Sequence, residues 1–382
     1  MAPPSIGFLF LGGAHQILHL APVALELELS GAGTVRLLAA GEAERSALIG
    51  LWSELGLAEP DVELLPVPAW AKVLARAKPG WSAAKLPTIL AARDLLSSFD
   101  AVVAAERTCT ILKHLPGRKP YMIHIPHGAG DRAKGFERRI GLFDHVIVAG
   151  QKDCERLVTQ GVCEARNVSV SGYVKLAAVN RLRARAPLPR VFENDRPTVL
   201  YNPHFAPELS SWPKFADALI AAFVDQQEFN LIIAPHVRMF GNAPADVRRA
   251  VEARAVPDRV HVDLGSSRSN DMTYTLAADV YVGDVSSQVY EFLQEPKPCV
   301  FLNPGIDGWQ SDPSYNFWRL GEVVDDPTEI LAAVRRAPGL HTSYAAAQVR
   351  ARDLALGPIE PSPIVTAAGV IANLAESVRA AA

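Results

Sequence analysis

Apolar residues along this chain fall into short runs, separated by longer stretches in which they recur with helical spacing. The runs predict strands at Ile6–Leu11, Val35–Ala39, Val62–Leu65, Ala101–Ala104, Tyr121–Ile125, His145–Ala149 and Val168–Ser171. The amphipathic stretches between them predict helices at Ile17–Leu29, Glu42–Leu55, Pro87–Ser97 and Asp153–Gln160. Such alternation implies right-handed crossovers and a parallel sheet. The rhythm stops at Ala184–Pro197, where prolines and charges mix without a helical period, and that is the composition of a linker. It restarts with strands at Thr198–Tyr201, Phe229–Ala234, Val260–Val262, Val280–Gly283 and Pro298–Leu302. The pattern therefore predicts an α/β protein of two Rossmann-like domains with a cleft between them, residues 1–185 and 198–357, joined by a linker at 186–197. Residues 358–382 hold one more amphipathic helix, Ile364–Ala380, which either packs on its own domain or crosses back to the first.

With 382 residues, 49% of them apolar and 21% charged, the chain has room for two ordinary cores. A net charge of -3 argues against nucleic acid as the main partner, because neutralising phosphates needs a basic surface. The cysteines (Cys109, Cys154, Cys163, Cys299) form no C-x-x-C pair and have no histidines at zinc spacing, so they read as small core residues in a reducing compartment. No basic stretch precedes the first apolar run, and no apolar segment is expected to approach the roughly 20 residues that span a bilayer. The expected location is cytoplasmic. One stretch adds a peripheral membrane contact at the inner face: between Trp70 and Lys85, Lys72, Arg76 and Lys78 are interleaved with Trp70 and Trp81. The alternative there is a solvated helix face with partly buried aromatics.

Ligands of open parallel sheets bind at the carboxyl ends of the strands, so chemistry is sought immediately after the predicted strands. The first runs into Gly12-Gly13-Ala14-His15, a turn that places His15 either in the cleft or at a helix start. The fifth ends in Ile125-Pro126-His127-Gly128-Ala129-Gly130-Asp131-Arg132, where His127 is a candidate proton acceptor and Asp131 and Arg132 stand ready to orient it or to bind an anion. In the second domain His236 and Arg238 follow a strand and suit a pyrophosphate. Asp284-Val285-Ser286-Ser287 leads into a helix bearing Glu291; the serines cap and bind phosphate, and Glu291 takes the ribose hydroxyls. The other reading of that segment is an ordinary cap with an unrelated surface Glu. His204 is a further cleft candidate, and Gly265-Ser266-Ser267 near Asn270 is a candidate contact for the base.

Taken together, these residues resemble the CDP-glycerol glycerophosphotransferase family of teichoic-acid and capsule polymerases, which are GT-B transferases. The resemblance runs over roughly 121–304 and is clearest at Ala278–Phe292, with its Ala-Asp, hydrophobic strand, Asp-x-Ser-Ser and aromatic-rich helix. Lys297-Pro298 and Val300–Pro304 continue it; His127-Gly128 is similar to the family's catalytic His-Gly, and Pro235-His236 to its second essential histidine. The chain departs from the pattern in having Ala129-Gly130-Asp131-Arg132 after His-Gly and in the order Ala234-Pro235-His236. What the resemblance implies is transfer of a glycerophosphate, or a related polyol phosphate, from a CDP-linked donor in the second domain to an acceptor hydroxyl, lipid-linked or free, presented by the first, in the synthesis of a cell-envelope polymer or lipid. His127 and His236 would be catalytic, and Arg238, Asp284, Ser286, Ser287 and Glu291 would hold the donor. No Asp-x-Asp motif is present, so neither a metal nor another cofactor is expected. The alternatives are a glycosyltransferase using a nucleotide sugar, a nucleotide-sugar 2-epimerase, and a non-catalytic nucleotide-binding homologue.

Overall fold

The computed structural model describes residues 3–71, 85–131 and 136–381. These divide into two compact units: unit 1 comprises Met1–Ala129, Phe136–Ala186 and Ala355–Ala382, and unit 2 comprises Gly130–Gly135 and Pro187–Leu354.

Unit 1 is built on a sheet of β1 (Ser5–Phe10), β2 (Thr34–Ala39), β3 (Val62–Leu64), β4 (Ala101–Ala104), β5 (Tyr121–His124), β6 (His145–Val148) and β7 (Val168–Val170). All pairs are parallel, in the order β3-β2-β1-β4-β5-β6-β7. The central strands are apolar throughout because both faces of the sheet are covered. In β1 alternate residues serve the two faces: Ile6, Phe8 and Phe10 join one core cluster, while Leu9, with Leu11 just beyond the strand, joins the other. Each such residue, wholly removed from water, contributes about 1.5–3 kcal/mol relative to exposure.

Unit 2 repeats the scheme with β8 (Thr198–Asn202), β9 (Asn230–Ile233), β10 (Val260–Val262), β11 (Val280–Gly283), β12 (Cys299–Leu302) and β13 (Glu322–Val324), parallel in the order β10-β9-β8-β11-β12-β13. The edge strand β13 is absent from the sequence reading; three residues, two of them only partly buried, leave too weak an apolar run. The expected helix Pro87–Ser97 is two helices, Lys85–Ala91 and Arg93–Ser98.

Two expectations change. The segment read as a linker is fastened to unit 2 from Pro187 onward: Phe192 is buried, and Glu193 and Asn194 donate to Asp258 at 2.8 and 2.9 Å. The last helix, Pro363–Ala381, is long and apolar enough to span a bilayer by length and composition alone, contrary to the expectation that no segment approaches that length. Its Ile364, Ala367, Ala368, Ile371 and Ala375 instead lie in the core of unit 1 with residues of the helix Ile17–Leu29.

The return of the chain to unit 1 depends on Gly172, at φ +89°, where a Cβ would stand 2.2 Å from the Pro358 carbonyl oxygen. Gly172→Ala is expected to cost about 2 kcal/mol or more. Gly50→Ala, in a helix with no other atom near the added carbon, is expected to be neutral or to stabilise by up to about 1 kcal/mol. Denaturant unfolding of the two variants beside the wild type checks both.

Candidate functional site

Each sheet reverses its strand order once, at β1/β4 in unit 1 and at β8/β11 in unit 2. At such a reversal the following loops diverge and open a crevice at the carboxyl edge. The polar residues of each unit collect there.

In unit 1 the loop after β1 turns through Gly12 and Gly13 and places Gln16 at the mouth of the helix Ile17–Leu29. Gly12 is needed because a Cβ there would lie 2.0 Å from Gln16 Nε2. The turn therefore accommodates the wholly buried Gln16 side chain. Gln16 Nε2 donates to Glu106 Oε1 at 2.9 Å and stands 3.4 Å from His127 Nδ1. Lys85 Nζ donates to the same Glu106 oxygen at 2.8 Å. The His15 ring meets the His127 ring edge-on, centroids 5.3 Å apart. Burial alone would raise the Glu106 carboxyl, but the Lys85 ammonium, the Gln16 amide and nearby His127 outweigh it and hold it below its usual value.

His127 keeps a solvent-exposed side while protein surrounds the rest of the ring. That enclosure lowers its pKa; Glu106 and the Ala105 carbonyl oppose the fall, and Arg107 and Lys85 add to it. The ring is thus biased towards the neutral form that can accept a proton. His19, one turn along from His15, is buried against Tyr173; burial first, then Lys175, His127 and His15, push its pKa well down.

The structure brings His15 and His127 together and adds Gln16, Glu106 and Lys85, which the sequence reading missed. Glu106 follows directly on a strand at the switch point, and that position was the available signal. Asp131 is placed differently: it belongs to unit 2, where it is buried and accepts from Tyr290 Oη at 2.7 Å. Arg132 lies outside the described residues, as do residues 72–84 of the proposed membrane stretch. Of that stretch, Trp70 is 62% exposed, while Lys85 turns to Glu106 instead of to solvent.

In unit 2 the loop after β9 carries His236 and Arg238. The Arg238 backbone N–H donates to His236 Nδ1 at 3.2 Å, so the neutral ring holds its proton on Nε2, as a hydrogen-bond donor. Phe205 lies 4.6 Å from the His236 ring, and the Arg238 guanidinium covers Phe205 at 4.3 Å. Ser287 and Arg238 are exposed, whereas Ser286 and Glu291 are buried. The helix they begin, Gln288–Phe292, has only five residues, and Ser287 makes no side-chain cap; Ser286 Oγ accepts the Gln288 N–H at 3.3 Å instead. Gln288 Nε2 also reaches the Ser269 carbonyl at 3.2 Å, tying this segment to the loop that begins at Gly265. Among the described residues there is no grouping of three or more His, Cys, Asp or Glu side chains fit to hold a metal ion.

One donor-site expectation, Asp284, and one cleft candidate, His204, are corrected here. Asp284 is fully buried and binds the two sides of the crevice: it accepts from His204 N, Val285 N, and Ser211 N and Oγ. His204 is likewise buried, its Nδ1 taking the Ala206 N–H at 3.0 Å, so it lies behind Phe205 and His236 instead of lining a surface.

No family model matches the chain, and no curated protein matches it. Solved structures do. The chain is similar to a putative UDP-N-acetylglucosamine 2-epimerase from Listeria monocytogenes (13% identity over 99% of this chain and 97% of that one, TM-score 0.65). It is similar to MnaA of S. aureus in complex with UDP (13% identity, 99% and 97% covered, TM-score 0.64). It is also similar to the wall teichoic acid polymerase TagF soaked with CDPG (12% identity, 99% and 89% covered, TM-score 0.59). The fold is GT-B. At these identities the likeness extends to the fold and its two Rossmann-like units, as expected from the strand pattern.

Burial lifts the Asp284 carboxyl to about 6, with the Ser211, His204 and Val285 N–H groups pulling the other way. The folded chain therefore holds this proton at a pH where the unfolded chain has released it. The resulting stability is full below about 3.8 and is lost as pH rises to about 6. Asp284→Asn is expected to flatten that window and, by setting an amide against these donors, to destabilise at neutral pH by roughly 2–4 kcal/mol. Thermal midpoints of both proteins across pH 4–7 check it.

Proposed function

We propose that this protein is a transferase that moves a glycerophosphate, or a related polyol phosphate, from a CDP-linked donor to an acceptor hydroxyl. The observation that carries the reading is the assembly at the β8/β11 crevice of unit 2. There His236 offers Nε2–H, Arg238 and Ser287 are exposed, and Asp284 fixes the loops behind them. Those donors suit a pyrophosphate, and Glu291 is assigned to the ribose. In unit 1, His127 takes the proton of the acceptor hydroxyl as its oxygen bonds to phosphorus. The bridging P–O bond breaks, and the nucleoside monophosphate leaves with the bonding electrons, stabilised by His236, Arg238, Ser286 and Ser287.

A second reading, nucleotide-sugar 2-epimerisation, is favoured by Glu106. It supplies a carboxylate linked to His127 through Gln16, and two of the similar structures are an epimerase by description and a UDP complex. Calorimetry with CMP, CDP, CDP-glycerol, UDP and GDP separates the two. Selective cytidine binding, weakened about tenfold or more in Glu291→Ala, is the expected result. Selective uridine binding moves the assignment to the second reading, and no nucleotide binding rejects both. With CDP-glycerol and a hydroxyl acceptor, His127→Ala is expected to lower turnover by roughly 10²–10⁴ while donor affinity stays within a few-fold; turnover close to wild type rejects His127 as the base.

A further inference from the structure

We infer that Glu106 is a positioning residue for His127, acting through the side-chain amide of Gln16. The inference rests on the reading above in one respect only, that His127 is the residue that handles the proton. Its physical basis is the sequence of donors running from Lys85 to the imidazole.

Glu106 Oε1 accepts from the Lys85 ammonium at 2.8 Å and from Gln16 Nε2 at 2.9 Å. An ionised carboxylate can only accept, so the Gln16 amide must turn its NH₂ group towards it. Reversing the amide would set Oε1 against the carboxylate. The chosen orientation leaves Gln16 Oε1 buried without a hydrogen-bond partner, a cost that an unconstrained glutamine would avoid. The side chain cannot escape it, because it is wholly buried beneath the Gly12-Gly13 turn. The second N–H of the amide then faces His127 Nδ1, at 3.4 Å. A donor facing Nδ1 disfavours a proton there, so the neutral ring rests with its proton on Nε2.

Charge gives the second part of the argument. The groups acting on His127 are His15 and His19 from the segment after β1, Lys85, Glu106 and Arg107 after β4, and His124 on its own strand, with Lys175 beyond His19. Among these described groups Glu106 is the one carboxylate. It is what compensates a second proton on the ring, in surroundings that are otherwise basic or cationic. Glu106 thus sets both which nitrogen is protonated at rest and how readily the ring charges.

The test is nitrogen-15 NMR of the full chain labelled at histidine, with His127→Ala used to assign the resonance. In the wild type His127 is expected as the Nε2–H tautomer. Gln16→Met is expected to abolish that preference. Glu106→Gln is expected to move the His127 titration midpoint to lower pH and to lower kcat roughly tenfold or more with KM within a few-fold, and Glu106→Asp to restore part of both. Thermal midpoints within a few degrees of wild type establish that the variants are folded. An unchanged tautomer in Gln16→Met together with an unchanged midpoint in Glu106→Gln overturns the inference, whatever the turnover. Turnover surviving in His127→Ala overturns the base assignment and leaves the NMR result standing.

Discussion

A parallel sheet that reverses its strand order cannot cover the carboxyl ends of the two strands at the reversal. The helices that follow them leave on opposite faces, and the backbone between is left to be satisfied by side chains. Both units meet this constraint with a carboxylate, fully buried in unit 2 and partly buried in unit 1. In unit 2, Asp284 reaches from the end of β11 to the loop after β8 and gathers the N–H groups of His204 and Ser211. In unit 1, Glu106 reaches from the end of β4 to Gln16 after β1. Everything assigned to chemistry hangs on these two bridges, since the loops they hold carry or abut His127, His236 and Arg238.

The two carboxylates are not equivalent. Asp284 is met by neutral donors where no solvent-accessible surface is left to it, and its burial outweighs them, so its proton is retained to about pH 6. Glu106 is met by an ammonium and stays ionised. The first therefore behaves as a structural tie whose charge is almost incidental. The second brings a permanent negative charge to a group of histidines and cations, and electrostatics at short range through protein is much stronger than through water.

Much of the fold was legible because central strands of a doubly covered sheet must be apolar on both faces; β1, β4, β11 and β12 could hardly be read otherwise. The three-residue β13 was not, because an edge strand of that length makes no periodic signal. Strand-end logic proposed His127, His236 and the Asp-x-Ser-Ser segment as candidates. It failed for Glu106 and Gln16 because their meaning depends on β1 and β4 being neighbours, a pairing between residues 90 apart in sequence that local pattern does not contain. It failed differently for Asp284 and His204: residue type says what a side chain can bind, but only packing says whether a ligand can reach it. The proline-rich run after Ala184 looked like a tether, although Asn194 and Asp258 fasten it, again through a partner far along the chain.

The helix Pro363–Ala381 lays Ile364, Ala367, Ile371 and Ala375 into a core whose first contributors are Ile6 and Phe8. On the ribosome, the helices Ile17–Leu29 and Val174–Arg183 therefore emerge with the groove that receives this last helix unfilled, and wait through the synthesis of nearly all of unit 2 before it arrives. Unit 2, contiguous but for Gly130–Gly135, has no such delay. Newly made chains would thus hold a finished insert inside an unfinished host, and in that interval the uncovered apolar side of Ile17–Leu29 is where chaperones would find the chain.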